Sequence, residues 1–454
     1  MKTLKENEPT DNQNQQVVGQ IEGFLEQLIR QMPPDEQEMA RDGPGRPRVL
    51  PSMCLWAGLL TCVARGFSSQ LDLWRLLSQG NFWFYPRFAV SDQAVYKRLE
   101  QAGTVPLQRL FTQVCSILAQ RLAPYQEKDL APFATQVLAL DETTLDKVAR
   151  LLPALRAEPA ASKKLLPGKL AALFNLRAQQ WEKIQQIENP HQNSKVAARA
   201  MLEEVAEGSL VLVDLGYFGF ELFDWLTEGK LWWISRMRAG TSYEVIHTFF
   251  RSTDQGGNIE VLDGVVWLGA YRADRAAHAV RLVQFRVGGT EYRYITNVLD
   301  PTKLTIAQIA RLYARRWDIE LAFKLVKRHL GLHMLWSAKS VVVQQQVWAV
   351  LIISQVLQGL RMEIAGRAEV DPYEVSMELL VRYLPQYAYT GEDPVKVFVE
   401  RGRELRFIRA STRTKVEAPT IDHKQLAPLP ADLVLVRPAR YAHRNCAPRP
   451  VLRN

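Results

Sequence analysis

One segment of the chain sets a single carboxylate among cations and a phenol. Residues 313–327 read YARRWDIELAFKLVK. On an α-helix, at about 100° per residue, five of these side chains fall on one arc about 80° wide. They are Tyr313, Arg316, Glu320, Lys324 and Lys327. A lone acid in a basic stripe suits a residue that holds a metal ion against a polyanion, because the acid binds the metal and the cations bind the phosphates.

The same helix carries an apolar stripe beside the basic one. Its members are Ile319, Phe323, Val326 and Leu330. We expect this stripe to pack into a core and so to fix the direction of the charged face. The spacing predicts one long helix from about Leu304 to Leu330, with Thr302 or Thr305 as its N-cap.

Two further acids each follow a short apolar run of the kind that forms a buried strand. Residues 136–140 (QVLAL) end on Asp141, and residues 209–213 (SLVLV) end on Asp214. Side chains at the carboxyl ends of strands in an open α/β sheet line the crevice where ligands bind. Together with Glu320, these acids can hold two Mg²⁺ ions, whose preferred ligands are oxygens. Two such ions promote an in-line phosphoryl displacement.

Each acid also has an ordinary structural explanation. An Asp that follows a strand commonly caps the next turn, and Glu320 has Lys324 as its i+4 partner on the helix. On that interpretation the chain is a helical and α/β protein without a metal site. The order of two strand-end acids followed by an acid on a basic helix favours the metal site over this alternative.

Hydrophobic periodicity divides the chain into three parts. The first, residues 1–130, has helical spacing. Residues 131–365 alternate strands with helices, which predicts an α/β sheet covered by helices, including a long helix at 341–365. Within this part, short Val-, Ile- and aromatic-rich runs over about 239–298 predict an all-β insertion. Residues 366–454 form a basic C-terminal region that is expected to be helical.

The charge of the chain favours an anionic partner. Its 454 residues carry a net charge of +9, and the pI is about 9.3. From residue 401 to the end, twelve Lys or Arg stand against four Asp or Glu, so this tail carries nearly all of the excess. The tail is predicted either to lie on DNA or to be a solvated, partly disordered segment.

Cysteine usage and hydropathy indicate the compartment. The four cysteines are scattered without a C-x-x-C pair, which argues against a disulfide framework or a zinc site and fits a reducing cytosol. The N-terminus lacks the apolar core of a signal peptide. The most apolar run, 347–357, is too short to span a bilayer. We expect a cytoplasmic protein without membrane contact.

The N-terminal part contains a possible helix-turn-helix. Ser91 is a suitable N-cap for a helix over residues 92–101, and Gly103 is a suitable stop. The side chains that would face DNA are Gln93, Tyr96, Lys97 and Arg98. The alternative is an ordinary helical bundle with exposed polar residues.

Taken together, these residues resemble a known family, the insertion-sequence transposases of the DDE, RNase H-like superfamily. Within it, the chain is similar to the group defined by Tyr, two residues, Arg, three residues, Glu, six residues and Lys. That pattern is complete here at Tyr313, Arg316, Glu320 and Lys327. The run from Asp214 to Tyr217 (DLGY), the YITN run at 294–297 and the β-rich insertion also resemble this group.

The resemblance implies a role for each matching residue. Asp141, Asp214 and Glu320 would bind two Mg²⁺ ions, for which Mn²⁺ substitutes. The residues that would hold DNA phosphates are Tyr313, Arg316, Lys327 and, with them, Lys324. Tyr292 stands where some relatives carry a Trp that stacks on a flipped base, with Trp267 as a weaker substitute.

The implied fold is α/β: an RNase H-like catalytic core with an all-β insertion, a helical N-terminal domain that binds DNA ends, and a helical, basic C-terminal region for DNA contact or dimerisation. The implied protein is a DNA transposase that cleaves the terminal inverted repeats of an insertion sequence and joins the freed 3′-OH to target DNA. A homodimer on double-stranded DNA would hold the two ends, in the bacterial cytoplasm at the nucleoid. Two alternatives are a two-metal nuclease without strand transfer and a domesticated protein that only binds DNA.

Overall fold

The N-terminal part of the chain is helical, as its periodicity predicts. The computed structural model describes residues 21–31, 49–79, 83, 85–145, 156–159, 168–187, 189, 192–270, 273–332, 335–337, 339–390, 392–411, 413 and 416–441. The N-terminal helices are α1 Ile21–Arg30, α2 Ser52–Ala64, α3 Gln70–Gln79, α4 Asp92–Ala102 and α5 Val105–Arg121. Residues 1–20 and 32–48 lie outside the described residues.

Helix α4 begins and ends where the sequence predicts. The Ser91 hydroxyl accepts the N–H of Ala94 at 3.2 Å, which satisfies one of the donors left free at a helix start. Gly103 follows the last residue with φ at +66°, a backbone conformation that favours glycine. Val95 and Leu99 form the buried face of the helix.

A nine-stranded sheet forms the centre of the described structure. Its strands are β1 Val137–Thr144, β2 Lys169–Asn175, β3 Gln180–Ile187, β4 Leu210–Val213, β5 Trp232–Arg236, β6 Tyr243–Thr253, β7 Ile259–Leu268, β8 Val280–Val287 and β9 Thr290–Thr296. Their order is β3-β2-β1-β4-β5-β9-β8-β7-β6. The pairs β1–β4 and β4–β5 are parallel, and the other pairs are antiparallel. The chain therefore has the mixed α/β architecture that the sequence predicts.

The strands of the β-rich segment belong to this same sheet. The segment returns through β9, which pairs with β5, for example Ser235 with Ile295. From β9 the sheet continues through β8 and β7 to β6 at its edge. The sequence predicts the strands of this segment but does not indicate that they extend the central sheet.

Helices cover both faces of the sheet. Alternate residues of β1 enter two different cores: Val137 and Ala139 lie in one, and Leu138 and Leu140 in the other. This is the result of side chains pointing to opposite faces along a strand. The remaining helices are α6 Ser194–Leu202, α7 Phe220–Glu228, α8 Ile306–Arg315, α9 Trp317–Lys324, α10 Ser340–Ala368, α11 Met377–Thr390 and α12 Pro394–Arg401.

The segment predicted as one long helix up to Leu330 is interrupted. Helix α8 ends at Arg315 and α9 begins at Trp317, and a π-helical turn follows over Leu325–His329. The N–H of Arg316 bonds to the carbonyl of Tyr313 rather than one residue further back, so the helical ladder is broken there. The predicted N-cap is confirmed, since Thr305 and Gln308 form a reciprocal capping box.

Helix α10 is the main support of one sheet face. It is the one helix among the described residues with the length and composition to cross a membrane, and 83% of its most apolar window is buried within the fold. It packs against α2, α5 and α12. A helix that is enclosed by other helices also needs apolar residues on all of its faces.

The C-terminal region is helical only in its first part. Helix α12 ends at Arg401, and the described residues between 402 and 441, here termed the C-terminal strap, contain no helix longer than the 3₁₀ turn His423–Gln425. The strap is bonded to strand β6 and to the β7–β8 connection: Ala427 N–H donates to the Phe249 carbonyl at 2.9 Å, and Arg437 N–H to the Ala277 carbonyl at 2.8 Å. The prediction of a helical region is therefore wrong for the described residues beyond Arg401.

Candidate functional site

The register of two parallel strands brings Asp141 and Asp214 side by side. The last paired residues of β1 and β4 are Leu140 and Val213. The two aspartates come next, and residues at matching positions of neighbouring strands point to the same face. Asp141 does not end its strand, contrary to the sequence prediction, because β1 goes on to Thr144 along its other neighbour, β2. For β4 the prediction is correct, since the strand ends at Val213.

The carboxyl of Asp141 has a raised pKa. Burial raises its pKa to about 6, and the negative charges of Glu320 and Asp214 act in the same direction. The N–H of Glu142, which donates to Asp141 Oδ1 at 2.8 Å, and the guanidinium of Arg316 act against this rise in pKa. A carboxyl with a raised pKa beside further acids marks a point of concentrated negative charge.

Arg316 links the three acids electrostatically. Its NH2 nitrogen donates to Glu320 Oε1 at 2.7 Å and lies 3.7 Å from Asp214 Oδ1. Burial acts to lower the pKa of Arg316, but the charges of Asp214 and Glu320 outweigh it and leave the pKa above its usual value. One guanidinium therefore interacts with three carboxylates, so these four side chains together carry an excess of negative charge.

The strand and helix segments that carry these acids match a protein family. Residues 133–356 match the transposase DDE domain. This segment, just under half of the chain, is therefore similar to the transposase DDE domain.

Relatives of the chain include two insertion-sequence proteins. Transposase InsG for insertion sequence element IS4, from Escherichia coli strain K12, is 26% identical over 164 residues, which is 34% of this chain and 35% of that protein. A probable transposase for insertion sequence element IS5377, from Geobacillus stearothermophilus, is 27% identical over 160 residues, 35% of this chain and 41% of that protein. The match spans less than half the length of either relative.

A solved structure resembles the chain at low similarity. It is the cryo-EM structure of the piggyBac transposase synaptic complex with hairpin DNA, at 9% sequence identity and a TM-score of 0.40, over 90% of this chain and 85% of that chain.

The remaining signature residues of this DDE-domain chain differ in exposure. Tyr313 is buried, which raises its pKa to about 12, and its ring lies 5.1 Å from that of Tyr294. Lys324 is exposed at the end of α9, and Lys327 lies in the π-helical turn with its Nζ 5.7 Å from the Phe323 ring. The apolar stripe beside them is buried as predicted: Ile319, Phe323, Val326 and Leu330.

The residues considered for base stacking are both engaged with other groups. Tyr292 stacks on Phe285, with ring centroids 5.2 Å apart and planes 20° apart. Trp267 is buried beneath the guanidinium of Arg437, which lies 4.4 Å from its ring. The strap therefore covers Trp267.

The two basic residues predicted to face DNA from α4 point in different directions. Lys97 is exposed. Arg98 is half-buried, and its guanidinium donates to the hydroxyl of Ser52, a buried residue at the start of α2. Arg98 therefore links two helices of the N-terminal part.

Two aromatic residues near the site were not singled out for chemistry from the sequence. Tyr217 is buried, and its hydroxyl has no hydrogen-bond partner in the part of the chain that the structure describes. Burial raises its pKa, and the charges of Glu142, Asp141 and Asp214 add to this rise. Trp317 is 54% exposed next to Arg316, although a tryptophan is usually covered. The position of Trp317 directly after Arg316 of the signature is the sequence feature that could have identified it.

Among the described residues, no group of three or more His, Cys, Asp or Glu side chains has the spacing to hold one metal ion. The Arg316 guanidinium lies against Glu320 and close to Asp214, so it supplies the positive charge beside these two acids. In this arrangement the acids face a common cation that the protein itself supplies.

Proposed function

We propose that the chain is a DNA transposase of an insertion sequence, which cleaves the ends of its element and joins the freed 3′-OH to target DNA. The observation that carries the proposal is the parallel register that sets Asp141 beside Asp214, with Arg316 joining Asp214 to Glu320. The match of residues 133–356 to the transposase DDE domain and the two insertion-sequence relatives support it.

The strand order supports an RNase H-like core. β3, β2 and β1 are antiparallel neighbours, and β4 and β5 follow β1 in parallel. In such a sheet, the acids of β1 and β4 lie at the edge where the parallel strands end. We assign the catalytic domain to 131–365, with the insertion at about 239–298. We assign DNA-end binding to 1–130, and DNA contact or dimerisation to 366–454.

The donor atoms suit two hard divalent cations, Mg²⁺ with Mn²⁺ as a substitute. All are carboxylate oxygens, the ligands that Mg²⁺ prefers. The raised pKa of Asp141 fits this use, because a cation beside the acids relieves the repulsion among them. When bound, such ions activate water and stabilise the attacking and leaving oxygens of a phosphodiester. The residues that would hold them are Asp141, Asp214 and Glu320.

The cations of the α8–α9 segment hold the DNA strand in this proposal. Arg316 exchanges its bond to Glu320 for a phosphate oxygen, which frees the Glu320 carboxylate. Lys324 and Lys327 lie about one and two helical turns after Glu320 and bind neighbouring phosphates. Tyr313 is buried and fixes the start of the 313–327 segment.

The partners follow from the reaction. Two terminal inverted repeats must be held together before either is joined to target DNA, so the active form is a homodimer on double-stranded DNA. Lys97 of the N-terminal part is exposed and contributes to end binding, with Arg98 orienting α4 from behind. The protein acts in the bacterial cytoplasm at the nucleoid.

A cleavage and joining assay tests the proposal. The substrates are duplex oligonucleotides of the genomic DNA that flanks the coding sequence, incubated with the full chain and MgCl₂ beside a target plasmid. Asp214→Asn and Glu320→Gln should abolish cleavage but keep end binding. Glu244→Gln, an exposed acid of strand β6, is the matched control.

Three results are informative. Cleavage without joining of a pre-cut 3′-OH end identifies a nuclease that lacks strand transfer. End binding without cleavage by the unaltered chain identifies a domesticated DNA-binding protein. Cleavage that persists in Asp214→Asn contradicts the assignment of the acids.

A further inference from the structure

A buried polar cluster lies behind the helix that carries Glu320. Its centre is Asp318, whose side chain is fully buried. Asp318 Oδ2 accepts from Arg315 Nε at 2.7 Å, from Gln179 Nε2 at 2.9 Å and from an Arg413 NH2 at 3.4 Å. A buried carboxylate is stable only with such partners, so Asp318 fixes the positions of all three groups.

Tyr373 completes the cluster. Its ring lies between two guanidinium groups, with Arg361 at 4.2 Å and Arg413 at 3.7 Å from the centroid. Its hydroxyl donates to Gln179 Oε1 at 2.7 Å, and an Arg361 NH2 donates to the same oxygen at 3.0 Å. The ring and the two planar cations form a stack that resists sliding of one element over another.

The charged members of the cluster pair across it. Glu127 Oε2 accepts from Arg315 at 2.6 Å and Asp371 Oδ2 from Arg413 at 3.2 Å, and Glu127 also accepts from the exposed Arg311. The charged members besides Arg311 are Glu127, Asp318, Asp371, Arg315, Arg361 and Arg413. They come from the segment before β1, the α8–α9 segment, α10 and the C-terminal region, so the cluster ties four parts of the chain together.

The cluster and the acidic site lie on opposite faces of one helical segment. At about 100° per residue, Asp318 is about 160° from Glu320 and roughly opposite Arg316. Burial agrees, because the Asp318 side chain is 0% exposed and that of Glu320 is 30% exposed. A rotation of α9 that broke the bonds of Asp318 would therefore turn Glu320 away from Asp214.

We infer that Arg413, on the C-terminal strap, is a positioning residue for Glu320 and acts through Asp318. Arg413 contacts Asp318, Tyr373 and Asp371 but none of the three acids of the site in the described part of the chain. Its side chain is 12% exposed, so its contacts are largely screened from water. The activity consequence rests on the proposed function, whereas the effect on α9 does not.

The test compares Arg413→Ala with Arg401→Ala, which removes the same charge from an exposed ion pair with Glu404. Hydrogen–deuterium exchange of residues 317–324 in the full chain, without DNA, should be faster in Arg413→Ala only. In the cleavage assay, the rate at saturating DNA should fall by about 10- to 100-fold, while half-saturation by DNA should change by less than about threefold. Arg413→Lys should recover part of the rate, because it restores the charge but not the planar stack.

The outcomes separate the two proposals. If Arg413→Ala exchanges and cleaves as Arg401→Ala does, while Glu320→Gln is inactive, the positioning role is wrong and the proposed function stands. If exchange rises in Arg413→Ala but the unaltered chain cleaves no DNA, the role of Arg413 stands and the proposed function is wrong. Arg413→Lys carries the same comparison if Arg413→Ala does not fold, because it loses the planar guanidinium that reaches Asp318 and Asp371, and exchange of residues 317–324 unchanged from the unaltered chain in this variant would overturn the role.

Discussion

Replacing Asp141 by Asn should make the metal-free protein more stable at neutral pH, although it should abolish cleavage. The folded-state pKa of Asp141 is about 6, against 3.8 for the ordinary side chain, because the site is buried and lies near two other acids. The contribution of such a carboxyl to stability is fully present only below its pKa in the unfolded chain. It is lost as the pH rises through its pKa in the folded chain.

The structure gives the size of the effect. A shift of about two pKa units corresponds to about 3 kcal/mol, which is the upper bound on the cost of ionising Asp141 at neutral pH. The Asn side chain keeps the shape and carries no charge. We therefore expect the free energy of unfolding to rise by about 1–3 kcal/mol in Asp141→Asn at about pH 7.5, and this gap to shrink by about 1 kcal/mol at about pH 5.

Urea denaturation of the full chain in EDTA, at both pH values, measures this difference. Glu244→Gln is the control and should stay within about 0.5 kcal/mol of the unaltered chain. Excess MgCl₂ should close or reverse this gap, since an ion present at about 100 times its Kd stabilises the chain that binds it by about 2.7 kcal/mol. An Asn variant that is equally or less stable in EDTA at about pH 7.5 would refute the idea that burial and crowded charge destabilise Asp141.

Three further predictions concern the DNA contacts and the sheet. Lys327→Ala should weaken end binding and reduce the slope of log K against log salt by about one, as measured by fluorescence anisotropy; an unchanged slope removes Lys327 from the phosphate contacts. Asp263→Ala should cost about 3–5 kcal/mol in a urea titration, because Arg281 would stay buried without its partner, and a cost below about 1 kcal/mol would contradict this. Trp317→Ala should change the free energy of unfolding by less than about 0.5 kcal/mol but weaken end binding by about 1–3 kcal/mol, because its exposed ring is available to stack on a base. Tyr292 already stacks on Phe285, so an equal loss of affinity in Tyr292→Ala would contradict the preference for Trp317 as the stacking residue.

Local signals in the sequence predicted the elements that carry the site. The Ser91 cap, the Thr305 cap and the buried stripe beside Glu320 all depend on neighbours within a few residues, and the structure confirms them. The mixed α/β class follows from the alternation of strand and helix patterns. Asp141, Asp214 and Glu320 as metal ligands remain a prediction.

Long-range contacts were beyond the reach of these signals. The extension of β1 past Asp141 depends on its pairing with β2, and the pairing of β9 with β5 depends on the whole path of the intervening segment. The break at Arg316 has no Pro or Gly to announce it. The inward direction of Arg98 and Arg413 depends on partners far away in sequence, so a basic residue alone could not be assigned to solvent or to the interior.

The pairing of β5 with β9 has a consequence for engineering. A segment that extends a continuous sheet cannot be excised and replaced by a short loop, because its removal would leave the backbone groups of β5 without partners along one edge. Bare edges of this kind recruit strands from other molecules. A shortened version of residues 133–356 without the residues between β5 and α8 should therefore aggregate, and such a chain would need a substitute strand, a covering helix or charged residues at that edge.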